Sequence, residues 1–265
     1  MTEDTTIRTD APGVAGRLVE LLTQVYGAAP PVTVTAWDGS RVEADSVSGI
    51  TIHVESRRTV RRLVWSPGQE GIAKAYIAGE LTVEGDLETA VRLMRDYVDH
   101  ASAKQSLEAA DRREVLRLTV QLGAVGPALR SPSEPLDAVT GYLDVPAQIR
   151  SELPTGLADA IVGPQPASGD ARTEVVYTHP DPLSAAVARW ESEHLVVDAV
   201  REIGASERTR LREIGRRLDR HLAAVVAEVG EQHARMWKVS LVLVGDNLER
   251  GLVRAYEITG TTALD

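Results

Sequence analysis

The side chains in this sequence that could do chemistry are few and scattered. Its six histidines are His53, His100, His179, His194, His221 and His233. No two of them stand four residues apart beside a carboxylate, the placement by which one helix face grips a metal ion. His53 alternates with Ile52 and Val54 in a strand-like run, so its ring faces away from them and is expected to be solvated or hydrogen-bonded. Asp198, Glu202 and the acids of Glu191-Ser192-Glu193 read as a carboxylate-rich helix whose solvation explains them without a cation. There is no cysteine, hence no thiolate nucleophile, Cys-ligated metal or disulfide. Serines, histidines and aspartates can always be combined in a chain this long, but no nucleophile elbow ties them together. No catalytic, metal or cofactor residue is assigned on these grounds.

What remains is binding chemistry. Arg57, Arg58, Arg61 and Arg62 crowd one short segment of a 265-residue chain that carries 29 Lys plus Arg against 39 Asp plus Glu. The formal charge of -10 argues against a nucleic-acid footprint over the whole chain. The arginine cluster has two readings: a solvated helix face, or a surface for lipid head groups or an acidic partner. Trp65 and Tyr76 sit on short helices and either fill an aliphatic core or wall an acyl pocket, which is itself an apolar cavity with few polar groups. Phenylalanine is absent, so four Trp and six Tyr supply all the aromatic mass.

The elements that must position these residues follow from periodicity and turn chemistry. Val14 to Tyr26 spaces Leu18, Leu21, Leu22 and Val25 as one helix face, with Gly27 as C-cap. Val32 to Thr35 alternates like a strand, Asp38-Gly39 turns, Arg41 to Ala44 returns, and Ile50 to Val54 makes a third strand. Ser56 caps a short helix through Val60, Leu63, Val64 and Trp65, stopped at Ser66-Pro67-Gly68. A second runs through Ile72, Ala73, Tyr76 and Ile77 to Gly79. Leu81 and Val83 form a strand, Gly85 turns, and Asp86 caps a helix carrying Leu87, Val91, Met94 and Val98. Another helix covers roughly Ala109 to Leu122. The strand signals cluster as antiparallel hairpins, which makes this region α+β.

From Gly126 to Pro182 stand nine of the 13 prolines. That composition reads as a linker, interrupted by helical turns near Ala147 and Leu157. Helices are then expected over Leu183 to Ile203, Ser206 to Val229 and Gln232 to Arg250, with a closing strand over Leu252 to Thr259. The start, MTEDTTIRTD, reads as a disordered tail without the pattern of a signal peptide. Apolar runs such as Val239 to Val244 fall far short of the roughly 18 to 20 residues of a bilayer span. A soluble, cytoplasmic protein is expected, in four parts: a tail over 1–12, an α+β domain over 13–125, a linker over 126–182 and a helical region over 183–265.

Several motifs share an order with a known family. Trp37-Asp38-Gly39-Ser40, Gly71-Ile72-Ala73-Lys74-Ala75-Tyr76, Gly79-Glu80-Leu81 and Val83-Glu84-Gly85-Asp86-Leu87 resemble the amino-terminal domain of cyclopropane-fatty-acyl-phospholipid synthases, above all the actinobacterial fatty-acyl methyltransferases. Glu213-Ile214-Gly215-Arg216-Arg217-Leu218, Ala234-Arg235-Met236-Trp237 and Leu248-Glu249-Arg250-Gly251 are similar to that family's last helices. The resemblance covers about two-thirds of the chain. It implies a non-catalytic, sterol-carrier-like α+β domain that docks on lipid, and terminal helices leading into a final strand.

The family's catalytic core is not found. No G-x-G-like turn follows a strand. Val196-Val197-Asp198-Ala199-Val200 reads as running into helix, and Val244-Gly245-Asp246-Asn247 has one glycine near the chain end. The Pro-rich stretch is too short for a doubly wound sheet, each βαβ unit of which takes about 30 residues or more. The family's active-site cysteine has no counterpart, and Ala205-Ser206-Glu207-Arg208-Thr209-Arg210 stands where its tyrosine is expected. No catalytic residue is carried over.

The expectation is therefore a non-catalytic lipid- or fatty-acyl-binding accessory protein without a cofactor. Arg57, Arg58, Arg61, Arg62, Trp65 and Tyr76 are its candidate lipid-binding residues. Its partners would be a fatty-acyl lipid or the inner membrane face, and a second copy or an intact methyltransferase, because the terminal helices need something to cover their apolar faces. No nucleic acid is expected. The alternative is a reduced S-adenosylmethionine-dependent fatty-acyl-phospholipid methyltransferase whose site a partner completes.

Overall fold

The computed structural model describes residues 13–44, 48–66, 68–102, 117–118, 120–123, 126–129, 144–164, 171–178, 183–193 and 195–262. The chain divides into two compact units, residues 1–130 and 131–265.

The first unit opens with α1 (Val14–Tyr26), which ends where Gly27 turns left-handed at φ 77° and donates its N–H to the Thr23 carbonyl. Its start is capped from a distant turn. Asp38 Oδ2 accepts the Val14 N–H at 2.9 Å, and Ser40 Oγ accepts the Ala15 N–H at 2.8 Å. The Asp38-Gly39 turn thus both reverses the strands and holds the first helix.

Strands β1 (Thr33–Ala36), β2 (Arg41–Val42), β3 (Thr51–Val54) and β4 (Leu81–Glu84) form a sheet in the order β2-β1-β3-β4. The outer pairs are antiparallel, but β1 and β3 run parallel, Thr33 opposite Thr51 through Ala36 opposite Val54. This departs from the purely antiparallel hairpins expected. After reversing into β2 on one edge of β1, the chain reverses again and pairs on the other edge, which forces the parallel register. The pleat places Val32, Val34, Ile52, Val54 and Leu81 in the interior.

Helices α2 (Arg57–Trp65) and α3 (Gln69–Ile77) follow β3, and α4 (Leu87–Ser102) follows β4. Ser56 caps α2 by accepting the Arg58 N–H, and Asp86 caps α4 by accepting the Thr89 N–H. Of the helix expected over Ala109 to Leu122, residues 117, 118, 120 and 121 are helical and Leu118 and Leu122 are buried; its remainder lies outside the described residues. So does the expected tail over 1–12.

The second unit contains α5 (Val145–Glu152), α6 (Thr155–Val162), β5 (Ala171–Thr178), α7 (Leu183–Ser192), β6 (Leu195–Glu202), α8 (Gly204–Arg220), α9 (Leu222–Val229), α10 (Glu231–Glu249) and β7 (Arg254–Thr262). The stretch that reads as a linker therefore supplies α5, α6 and β5. Its prolines punctuate helices: Pro146 lies in the first turn of α5, where its missing N–H costs nothing, and Pro154 starts α6.

The helix expected over Leu183 to Ile203 is α7 followed by the strand β6. Leu195 to Val200 is rich in β-branched residues, and β6 pairs with the central strand of an antiparallel sheet ordered β5-β7-β6. Glu191 thus lies on α7, while Asp198 and Glu202 belong to a strand. Close approach fixes that sheet, since a Cβ on Gly260 would stand 2.1 Å from the Val196 carbonyl oxygen. The long helix expected over Ser206 to Val229 breaks at His221 into α8 and α9.

Leu211, Ile214 and Leu218 form the buried face of α8, which packs along α10, and Trp190 and Trp237 are fully buried. The fold is α+β with a closing strand. Among the described residues, no helix is long and apolar enough to cross a membrane.

Candidate functional site

The apolar face of the first sheet does not meet its covering helices in full contact. Between them lies a cavity of about 320 Å³. Val32, Val34, Ile52, Val54 and Leu81 form its buried floor. Its walls are Leu18, Leu21, Leu22 and Val25 of α1, Val60, Leu63 and Val64 of α2, Ile72 of α3, and Met94 and Val98 of α4. At the rim, Val64 is 47% exposed. The helical and strand periodicities that bury these side chains against a sheet leave them around a void lined mainly by leucine, valine and isoleucine.

Among the described lining residues, two side chains carry an oxygen or nitrogen atom. Thr59 is committed, its hydroxyl donating to the Glu80 carbonyl. Tyr26 packs its ring against Tyr97 with centroids 5.1 Å apart, and its hydroxyl has no hydrogen-bond partner among the described residues. Burial pushes the Tyr26 hydroxyl pKa above its ordinary value. The Tyr97 hydroxyl is committed instead, donating to the carbonyls of Leu22 and Ala28. No charged residue belongs to the described lining.

The residues singled out from the sequence are distributed differently from that expectation. Tyr76 is buried but lies outside the lining, so it fills core. Arg62 faces no solvent: 5% exposed, it grips Glu80 through Nε and Nη2, both at 2.9 Å. Arg58 joins the same carboxylate at 3.0 Å while remaining largely exposed. Thus half of the basic cluster is spent on one buried acid, a structural use that removes Arg62 from any head-group surface.

Positions 57, 61 and 65 share the other side of α2. The Arg61 guanidinium donates to the Pro127 carbonyl, and the exposed Trp65 indole donates to the Gly126 carbonyl at 2.9 Å. Arg57 passes beside Gly123, where an added Cβ would meet its Cδ at 3.3 Å. This face of α2 therefore clasps Gly123, Gly126 and Pro127 as well as meeting solvent.

Other titratable groups have structural partners. His53 stands between Thr35 Oγ1 at 2.6 Å and Glu84 at 3.3 Å. In the second unit, buried Glu207 accepts from the Tyr177 hydroxyl at 2.6 Å and from Arg210 at 2.9 Å. Burial, followed by the Glu207 charge, pushes the Tyr177 hydroxyl pKa far up, so it serves as a fixed donor. Among the described residues, no cluster of three or more His, Asp or Glu could hold a metal ion. His179 and His194 lie outside the described residues.

Sequence reading missed the cavity walls. The apolar stripe of α1 and the pair Met94 and Val98 were legible as buried faces, but periodicity does not tell a face that packs from one that surrounds space. No family model matches the chain, and no curated protein matches it.

Proposed function

We propose that this chain is a non-catalytic lipid- or fatty-acyl-binding protein whose first unit holds an apolar chain. What supports this reading is the aliphatic cavity above the β2-β1-β3-β4 sheet. Its volume of about 320 Å³ falls at the lower end of the roughly 300–1,000 Å³ of small-molecule sites. An occupant gains dispersion contacts that a void forgoes, and removal of its apolar surface from water contributes about 25 cal/mol per Å². Exposed Val64 and Trp65 stand on α2 with Arg57, an apolar and basic combination suited to the head-group layer of a membrane. An intact methyltransferase or a second copy of the chain is the partner proposed with it.

The test is the lipid content of the purified chain. Native mass spectrometry is expected to find an apolar adduct, and Val64→Trp, which narrows the rim from an exposed position, is expected to lose it. A wild-type chain that carries no adduct, and takes up none when incubated with acyl lipids, sinks the reading.

A further inference from the structure

The cavity also carries information about the polar end of what it holds. Its described lining residues include no cation, and one of them, Tyr26 at the end of α1, carries a side-chain donor without a hydrogen-bond partner among the described residues. Burial raises the pKa of that hydroxyl. On α2, Arg62 and Arg58 are engaged on Glu80 and Arg61 on the Pro127 carbonyl, while Arg17, Arg57 and the buried Arg95 are not among the lining residues.

We infer that the site selects a ligand whose polar end is neutral, an apolar chain ending in a hydroxyl or an ester carbonyl, with the Tyr26 hydroxyl as its hydrogen-bonding partner. The inference rests on the acyl-binding reading above and specifies its ligand class.

The physical argument is one of desolvation. A carboxylate drawn beside Tyr26 loses part of its hydration and gains a single donor, with no cation to compensate. An alcohol or ester loses far less hydration, and that one donor satisfies its oxygen. A free fatty acid would therefore be discriminated against at a pH where it is ionised, although its tail fits the same walls. Esterified lipids and fatty alcohols have no such penalty.

The test uses the full chain at pH 8 and three probes: diphenylhexatriene, a hydrocarbon fluorophore that reports filling of the cavity, and 1-decanol and decanoate as its competitors. Wild type is expected to bind diphenylhexatriene and to prefer decanol over decanoate by about ten-fold. Tyr26→Phe keeps the ring against Tyr97; it is expected to bind the fluorophore as wild type does and to weaken decanol by about five-fold.

If Tyr26→Phe binds decanol as tightly as wild type, or wild type holds decanoate as tightly as decanol, the neutral-end inference is overturned while the cavity reading stands. If wild type binds no diphenylhexatriene, both fail, as they would if another segment of the chain filled the space. The decanol-to-decanoate comparison on wild type decides the matter even where the variant does not fold.

Discussion

The two units of this chain solve the same packing problem with different side chains. Without phenylalanine, the second unit places the fully buried indoles of Trp190 and Trp237 in its core, each with its N–H satisfied, by Glu174 at 2.7 Å and by Gln148 at 3.0 Å. The first unit surrounds the space above its sheet with leucine and valine and leaves about 320 Å³ unfilled. Large rings with a satisfied polar edge close a core. Short aliphatic chains on a sheet and four helices leave a volume that another molecule can use. The ten Trp and Tyr are split evenly between the units, five in each, so the difference lies in placement: two fully buried indoles in the second unit and none in the first.

That contrast can be broken by mutation, and the largest effect belongs to the filled core. Trp237→Ala removes a fully buried indole and is expected to cost about 3–5 kcal/mol in urea unfolding followed by circular dichroism; a loss below about 1 kcal/mol would show that the second unit also tolerates voids. In the first unit the buried ion pair should dominate. Glu80→Ala removes the carboxylate that buried Arg62 grips and is expected to cost about 3 kcal/mol, part of which Arg62→Met restores when added to it. No recovery in the double variant would mean that Glu80 matters chiefly through Arg58.

Overpacking sharpens the comparison. Ile214→Phe in the second unit is expected to cost about 1–3 kcal/mol, since its site is fully enclosed.

Next in size is the cap of α1. Asp38→Ala is expected to cost about 1 kcal/mol. Hydrogen bonds from the Ser40 side chain first, and from the Val14 amide, hold the Asp38 carboxyl below its ordinary pKa. Its contribution is therefore present above the unfolded value and lost as pH falls through the lower folded value. The gap between wild type and variant should close in melting curves taken below about pH 4. A gap that persists in acid would assign the effect to backbone packing.

The smallest effect is expected at the cavity. Met94→Phe adds bulk where space exists and should change stability by less than about 1 kcal/mol in either direction. A cost equal to that of Ile214→Phe would mean that the void is not available.

Local chemistry made most of the first unit legible. Gly27 at φ 77°, Ser56 and Asp86 as caps, and the Asp38-Gly39 turn all act as their residue types dictate. The second unit resisted because its local signals conflict. Leu195 to Glu202 carries both a helix-compatible spacing and β-branched residues, and only pairing with β7 decides between them. Prolines 146 and 154 looked like linker composition because a proline at a helix start and one in a loop are the same letter.

The candidate site was half legible. The arginine cluster was visible, but its division between Glu80 and the Pro127 carbonyl depends on neighbours distant in sequence. The cavity was invisible, since a void is a property of what fails to meet.

The placement of Trp65 has a spectroscopic consequence. Trp190 and Trp237 are sealed in the second unit, whereas Trp65 is 56% exposed and adjoins Val64 at the cavity rim. Its emission should therefore form, beside that of half-buried Trp37, the longest-wavelength and most readily quenched part of the protein's intrinsic fluorescence. A ligand seated past Val64 would be reported by iodide quenching of that component, with no label attached.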